Sequence, residues 1–223
     1  MSDLPLPQLQ NQDLYKIAFT HRSALNEFPD RPVSNERLEF LGDAVLELTV
    51  SRYLYDQFPD EPEGILTSYR SSLVKTTTLA KVAKEYGLGQ LLILSKGEEI
   101  SGGRENAALL ANTFEAYTGA LYLDQGYEAA DTFIKAAVIP KLHAIRKNKL
   151  YKDPKSTLQE HAQSKHQRPP AYKVISETGP DHQKEFIVAV AVGGQELGRA
   201  MGKSKQEAQQ LAAEKALEKI KET

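Results

Sequence analysis

The chain has 223 residues, 28 Lys and Arg against 30 Asp and Glu for a net charge of −2, and 40% hydrophobic residues. That length suggests one or two domains, each able to bury a core; the absence of a long apolar run or of an apolar N-terminal segment argues against a membrane span or a secretory signal. Cysteine is absent, which excludes disulfides and thiolate metal sites and fits a reducing, cytoplasmic setting.

In chain order, Leu14 to Leu25 reads as a short helix and Phe28 to Pro32 as a loop. Ser34 is the expected N-cap of a central helix running to about Gln57, where Phe58-Pro59 ends it. After the acidic turn Asp60 to Gly64, one helix is expected from about Ile65 to Tyr86, with Gly87 as its C′ residue. Ser101-Gly102-Gly103 breaks the chain before a helix from about Glu105 to Asp124, and Gln125-Gly126 turns into a last helix from about Tyr127 to Asn148. Gly102-Gly103-Arg104 lacks the Lys-Ser/Thr ending of a P-loop and reads as a helix-entry turn with Arg104 near any bound RNA. Nothing here alternates with period 2, so this half should be all-α.

The composition changes at Asn148 to Pro154, which reads as a linker. Residues 1–148 carry 15 basic against 20 acidic residues (−5) and residues 149–223 carry 13 against 10 (+3), which suggests a cation-holding body and a polyanion-binding tail. A helix of about a dozen residues begins near Ser156. After Arg168-Pro169-Pro170 the period becomes 2: Tyr172, Val174 and Ser176 alternate with Lys173 and Ile175, and Phe186, Val188, Val190 and Val192 line one face of a second strand. Gly193-Gly194 signals a hairpin into a third strand ending near Met201. Ser204 and Glu207 form a capping box for a last helix, packed through Ala208, Leu211, Ala212, Ala216 and Ile220. The order is α-β-β-β-α, and the fold class is α+β overall.

Chemistry concentrates at Asn35-Glu36-Arg37-Leu38-Glu39-Phe40-Leu41-Gly42-Asp43-Ala44-Val45-Leu46. On a helix, Glu36, Glu39 and Asp43 fall within an arc of roughly 60°. Leu38, Leu41, Val45 and Leu48 lie opposite, and Phe40, Leu46 and Val50 fall on or beside the acidic arc, so the helix is apolar nearly all round and expected to be buried. Buried carboxylates are costly unless something positive pairs with them. Asn112 and Glu115 form a second polar pair on one helix face, flanked by Ala108 and Gly119, whose small size would admit the central helix. An all-oxygen set favours Mg²⁺ or Mn²⁺ over zinc. The bland alternative, solvated surface polars, fits the spacing equally well. His21, on a helix with Leu14, Ile17 and Ala18, reads as structural, and the other histidines are too scattered for a zinc site.

The stretch Asn35 to Leu46 resembles the signature of ribonuclease III, and the likeness extends from His21-Arg22-Ser23 to the last helix. It implies a bacterial-type ribonuclease III: an all-α endonuclease domain at 1–147, a linker at 148–154 and a double-stranded-RNA-binding domain at 155–223. The implied enzyme is an obligate homodimer with Mg²⁺ at its sites (Mn²⁺ able to substitute) and no small-molecule cofactor. It cuts both strands of duplex RNA, leaving 5′-phosphate and 3′-hydroxyl ends with two-nucleotide 3′ overhangs, in rRNA and mRNA processing. By position, Glu39, Asp43 and Glu115 correspond to metal-binding acids, with Asn112 as the fourth ligand, and the implied catalytic set is Asp43, Glu115, Glu36 and Glu63, the last two flanking the site and assisting in RNA processing. Asn112 stands where the family usually has Asp; its carbonyl can still ligate a hard cation, but the site loses one negative charge. The rival reading that Asn112 favours is a catalytically weakened or inactive RNA-binding protein on the same fold.

Three patches match those that such RNA-binding domains use: Ser156, Gln159, Glu160 and Gln163 for minor-groove ribose hydroxyls, the turn Pro180-Asp181-His182 for the next minor groove, and Lys203-Ser204-Lys205 for phosphates. A second consecutive Lys is common in the family where this chain has Gln206. Shape should therefore dominate over base sequence, with a weaker phosphate grip.

Overall fold

A computed structural model of the chain describes residues 5–28, 33–148, 154–165, 168–180 and 184–221 and divides into two units, Met1–Tyr151 and Lys152–Thr223. Apart from Asn148 and Pro154, which cap a helix and begin one, the expected linker lies outside the described residues.

The first unit is helical. Asn11 accepts from the Asp13 and Leu14 amides and starts α1 (Gln12–Ala18). A 3₁₀ turn at Arg22–Asn26 follows, where one helix over 14–25 was expected. The break is tertiary: Ile93 N–H donates to Phe19 O and His21 N–H to Ile93 O, which pairs Thr20 with Ile93 in a single parallel bridge. Asn35 rather than Ser34 caps α2 (Glu36–Gln57); its amide side chain is spent on Ala18 O, while Ser34 Oγ donates to Glu36. The helix expected at 65–86 is two, α3 (Glu63–Val74) and α4 (Thr76–Glu85), divided at Lys75, whose ψ of 148° is extended. Gly87 ends α4 with φ 68°, a left-handed value that glycine adopts without strain.

Two short helices, α5 (Leu88–Leu91) and α6 (Lys96–Ile100), and a 3₁₀ turn at Gly103–Glu105 lead to α7 (Ala107–Gln125), capped by the Asn106 side chain. The helix expected at 127–148 is also two, α8 (Tyr127–Ala137) and α9 (Lys141–Lys147), split at Pro140, which cannot donate to a helical carbonyl. Leu46, Val50 and Leu54 of α2, Phe114, Tyr117 and Leu121 of α7, and Phe133 of α8 are buried together, with α7 at the centre. Among the described residues no helix is long and apolar enough to cross a membrane.

In the second unit α10 (Pro154–Ser164) precedes an antiparallel sheet of β1 (Ala171–Thr178), β2 (Glu185–Val192) and β3 (Gln195–Gly202) in that order, and α11 (Lys205–Lys221) follows. A bulge between Val174 and Ser176 interrupts the predicted alternation of β1. Gly193 and Gly194, at φ 61° and 89°, make the predicted tight hairpin. The Glu207 amide donates to Ser204 Oγ, the first half of the predicted capping box, while the Glu207 carboxylate accepts from Lys203 N–H, one residue before the N-cap, in place of Ser204 N–H. Ala208, Ala212, Ala213 and Ala216 are buried against the sheet, where the absence of a side chain at Gly198 admits the Ala212 backbone. Leu211, expected on that face, is 37% exposed because the small-residue row carries the close contact.

Candidate metal centre and nucleic-acid interface

The site is built where α2 and α7 cross. A Cβ on Gly42 would fall inside the Glu115 carbonyl, and one on Gly119 would collide with Leu38 O, so the two backbones touch at paired glycines. Sequence reasoning named Gly119 and missed Gly42; its cost of about 1 kcal/mol in a helix interior was the available signal. Ala108, also expected at the contact, is exposed.

This crossing sets Glu39 and Asp43, one on each side of Gly42, against Asn112 and Glu115, one turn or two before Gly119. Glu115 is half-buried, and burial, followed by the Asp43 and Glu39 charges, pushes its carboxyl up to about 8. Glu39 is also raised, first by burial and then by Glu36, while a hydrogen bond from Asn112 pulls it back. Charged carboxylates at low solvation with no cation among them are raised in this way. Among the described residues, no three Asp, Glu, His or Cys side chains are already gathered at chelating distance. The donor set still fits a hard divalent ion: it is all oxygen, it brings three carboxyl groups together, and its two half-buried acids are raised by burial and by the neighbouring carboxylates.

Glu36 is exposed at the start of α2, where Ser34 Oγ donates to it and Arg22 lies 3.6 Å away. It shares a cleft of about 480 Å³ with His21, Arg22, Asn35, Glu39, Glu98, Leu109 and Asn112, so the acidic arc opens to solvent there. His21 is held structurally: its Nδ1 accepts from Ser23 N–H, and Ser23 Oγ accepts from Ser95 N–H. Burial lowers its pKa, against opposing effects of Glu98 and Glu36.

Glu63 stands apart at the start of α3, accepting from Thr67 Oγ1. From Asp43 to the end of α2 is about 21 Å of helix, and α3 begins beyond it. Arg104 also departs from expectation. It donates to Gly89 O and Leu92 O and to the Glu99 carboxylate, so its guanidinium ties loops together instead of serving a polyanion. A larger open cleft of about 780 Å³, walled by Tyr53, Phe58, Tyr69 and Arg146, contains none of the expected site acids.

The expected all-round burial of α2 is also corrected. Leu38, Val45, Leu46 and Val50 are buried, but Phe40 is 82%, Leu48 57% and Tyr55 72% exposed. These three fall within an arc of about 80°, an apolar stripe on the side away from α7.

In the second unit Ser156, Gln159, Glu160 and Gln163 lie along α10, with Leu158 and Ala162 buried beneath the helix. His182 and Asp181 lie outside the described residues. Lys203 and Lys205 flank the start of α11 and are exposed; Lys205 Nζ is 3.4 Å from Glu177 and 5.4 Å from the centre of the Phe186 ring.

The Ribonuclease-III-like family profile matches residues 11–142, and that of the double-stranded RNA binding motif matches residues 154–220. Ribonuclease 3 of Bacillus licheniformis is 49% identical over 214 residues, covering 96% of this chain and 86% of that protein. Ribonuclease 3 of a Geobacillus strain is 49% identical over 95% of this chain and 86% of its own. The nuclease domain of ribonuclease III from Campylobacter jejuni superposes with a TM-score of 0.55 at 39% identity, over 60% of this chain and 90% of that one. Dicer from Pichia stipitis superposes with a TM-score of 0.50 at 32% identity, over 96% and 97%. A helical domain that sets acids face to face across paired glycines, joined to an α-β-β-β-α domain, thus coincides with both family matches: the chain belongs to the ribonuclease III family of endoribonucleases and carries a C-terminal double-stranded RNA binding motif.

Proposed function

We propose that this endoribonuclease is Mg²⁺-dependent and hydrolyses both strands of duplex RNA, leaving 5′-phosphate and 3′-hydroxyl ends with two-nucleotide 3′ overhangs, in rRNA and mRNA processing. The observation that carries the metal reading is the backbone contact of α2 and α7 at Gly42 and Gly119, which brings the half-buried Glu115 carboxyl beside Asp43 and Glu39. In this reading Glu39, Asp43 and Glu115 supply carboxylate oxygens and Asn112 a neutral carbonyl oxygen. The bound ion would polarise the phosphate and lower the pKa of an attacking water. Glu36, at the open edge of the cleft, orders the approach of the phosphodiester through its ties to Ser34 and Arg22. A cytoplasmic setting is supported by the absence of cysteine.

The enzyme works as a homodimer in this proposal, and the support is the exposed Phe40, Leu48 and Tyr55 stripe, a face suited to a second copy. Glu63 then contributes to cleavage only where a second copy brings it to a site. Phe40→Asp is expected to convert the dimer to monomer in sedimentation while the helical circular dichroism is retained; a dimer that survives this change and Leu48→Asp together sinks the assignment of this face.

The function is tested by incubating a long perfect RNA duplex with and without Mg²⁺ or Mn²⁺ and resolving the products. Short staggered fragments that require the ion are expected. Binding without cleavage at every ion concentration would favour the weakened or inactive form to which Asn112 points. Asn112→Asp restores one negative charge and should lower the Mg²⁺ concentration for half-maximal cleavage by about tenfold, since ligand charge tunes affinity for hard cations. An unchanged or raised midpoint refutes Asn112 as a ligand.

A further inference from the structure

The larger cleft of the first unit carries chemistry that the metal centre does not use. It is an open space of about 780 Å³ between the end of α2, α3 and α9, within the usual range for a small organic ligand. Tyr53, about 15 Å along α2 from Asp43, walls it together with Phe58 and Tyr69, and none of the proposed metal ligands lines it. Arg146 of α9 sets its guanidinium carbon 4.6 Å from the centre of the Phe58 ring and 5.7 Å from that of Tyr69. The two rings meet edge to face with centroids 5.8 Å apart, so the guanidinium rests on a two-ring floor. That contact takes one side of a planar cation and none of its five N–H donors. Among the described residues no carboxylate pairs with Arg146, His143 or Lys147, and all three are exposed at the cleft. Lys135 is spent on Asp131, 2.8 Å away. Glu61 is the one carboxylate among the residues that line the cleft.

A planar cation with an open side accepts a stacked nucleobase, as guanidinium planes do for unpaired bases. Lys147 and His143 offer donors to a phosphate. A carboxylate discriminates among bases: the Watson–Crick edge of guanine offers it two N–H donors, at N1 and N2, whereas the amino group of adenine or cytosine offers one. We propose that this cleft binds a guanosine 5′-phosphate, with the base on the open side of Arg146, its edge on Glu61 and its phosphate on Lys147 and His143. A free guanine mononucleotide and an RNA strand that begins with 5′-phosphorylated guanosine share this chemistry. The negative end of the α9 dipole accounts for Lys147 by itself. It does not account for a stacked guanidinium, an unpaired carboxylate and aromatic walls around one cleft.

Calorimetric titration of the full chain in metal-free buffer, with GMP, AMP, guanosine and inorganic phosphate as probes, tests the site. GMP should bind about tenfold more tightly than AMP or guanosine, and inorganic phosphate more weakly than either. Arg146→Ala should weaken GMP binding about tenfold, as loss of one stacked base requires, and Lys147→Gln about fivefold. Glu61→Gln should erase the preference for GMP over AMP. Arg146 also seats α9, so Lys147→Gln and Glu61→Gln, neither of them in the core, decide the result where Arg146→Ala lowers the thermal midpoint. A short single-stranded oligomer beginning with guanosine, compared in its 5′-phosphate and 5′-hydroxyl forms, separates the two sources. Binding that needs the 5′-phosphate and falls in Lys147→Gln supports a strand end, and binding of GMP without binding of the oligomer supports a mononucleotide. GMP that fails to bind at about 1 mM, weaker than any specific nucleotide site, overturns the assignment. So does GMP binding that Lys147→Gln and Glu61→Gln leave unchanged, or that Glu115→Gln removes in their place, which would put the nucleotide at the α2–α7 crossing.

Discussion

Glu115→Gln should reduce cleavage of a perfect RNA duplex by about a thousandfold or more at saturating Mg²⁺, about 4 kcal/mol in the barrier, with duplex affinity unchanged. The substitution keeps the size of the side chain and removes the charge at the most strongly perturbed acid of the crossing. Single-turnover cleavage checks the first part and a metal-free binding titration the second. A variant that cuts at the parent rate would mean that the α2–α7 acids are not the metal site. The same change has a stability consequence of determined sign. The Glu115 pKa is raised from an ordinary 4.5 to about 8 in the folded chain. The unfolded chain therefore releases its proton first, and stability present below pH 4.5 is lost as pH rises towards 8. Without metal, the parent should lose thermal midpoint across that window, and Glu115→Gln should show a flatter profile. Mg²⁺ should raise the midpoint of the parent at neutral pH more than that of the variant.

The second large effect is structural in origin. Gly42→Ala should lower the thermal midpoint by several degrees and abolish cleavage, although alanine is the better helix former by about 1 kcal/mol. A methyl at this position would occupy the space of the Glu115 carbonyl and approach Gly119 N, both of them backbone atoms that no rotamer change can move. Overpacking of this kind costs about 3 kcal/mol at the upper end of its usual range, which outweighs the propensity gain. Gly64 of α3 is the control: a Cβ there meets nothing within 4 Å, so Gly64→Ala should leave the midpoint level or raise it. Calorimetry of the two variants decides the matter. A stabilised Gly42→Ala protein would mean that the helices do not touch at this point. Because Glu39 and Asp43 flank Gly42, separating the helices also separates the acids, and activity falls with stability.

Where local chemistry dominates, the order of residues was sufficient. Gly193-Gly194 can take two left-handed residues in succession, so the hairpin was readable. Ser204 and Glu207 satisfy each other's neighbourhood within four residues, so the start of α11 was readable as well. Errors came where distant segments intervene. The break at Phe19–His21 exists because Ile93 pairs with it, and the small-residue row on α11 displaces Leu211 because Gly198 lies under Ala212. Arg104 looked like an available cation, but carbonyls supplied by a segment more than ten residues earlier claim it. The split at Pro140, like the helix-interior Gly42, had a local cause in plain view.

The sequence by itself determined that four oxygen-bearing residues stand on two helix faces, that a basic α-β-β-β-α domain follows, and that the first resembles an RNA-cutting family. Spacing along a helix is set by covalent geometry, so which residues share a face does not depend on what packs against them. Only the tertiary structure decided that the two faces meet, because that depends on Gly42 and Gly119 allowing backbone contact across residues far apart in the chain. It also decided that Glu63 stands apart from them and that Phe40 and Leu48 point away from the core. Burial is a property of the assembled surface, and periodicity cannot say which side of an apolar helix another helix will cover.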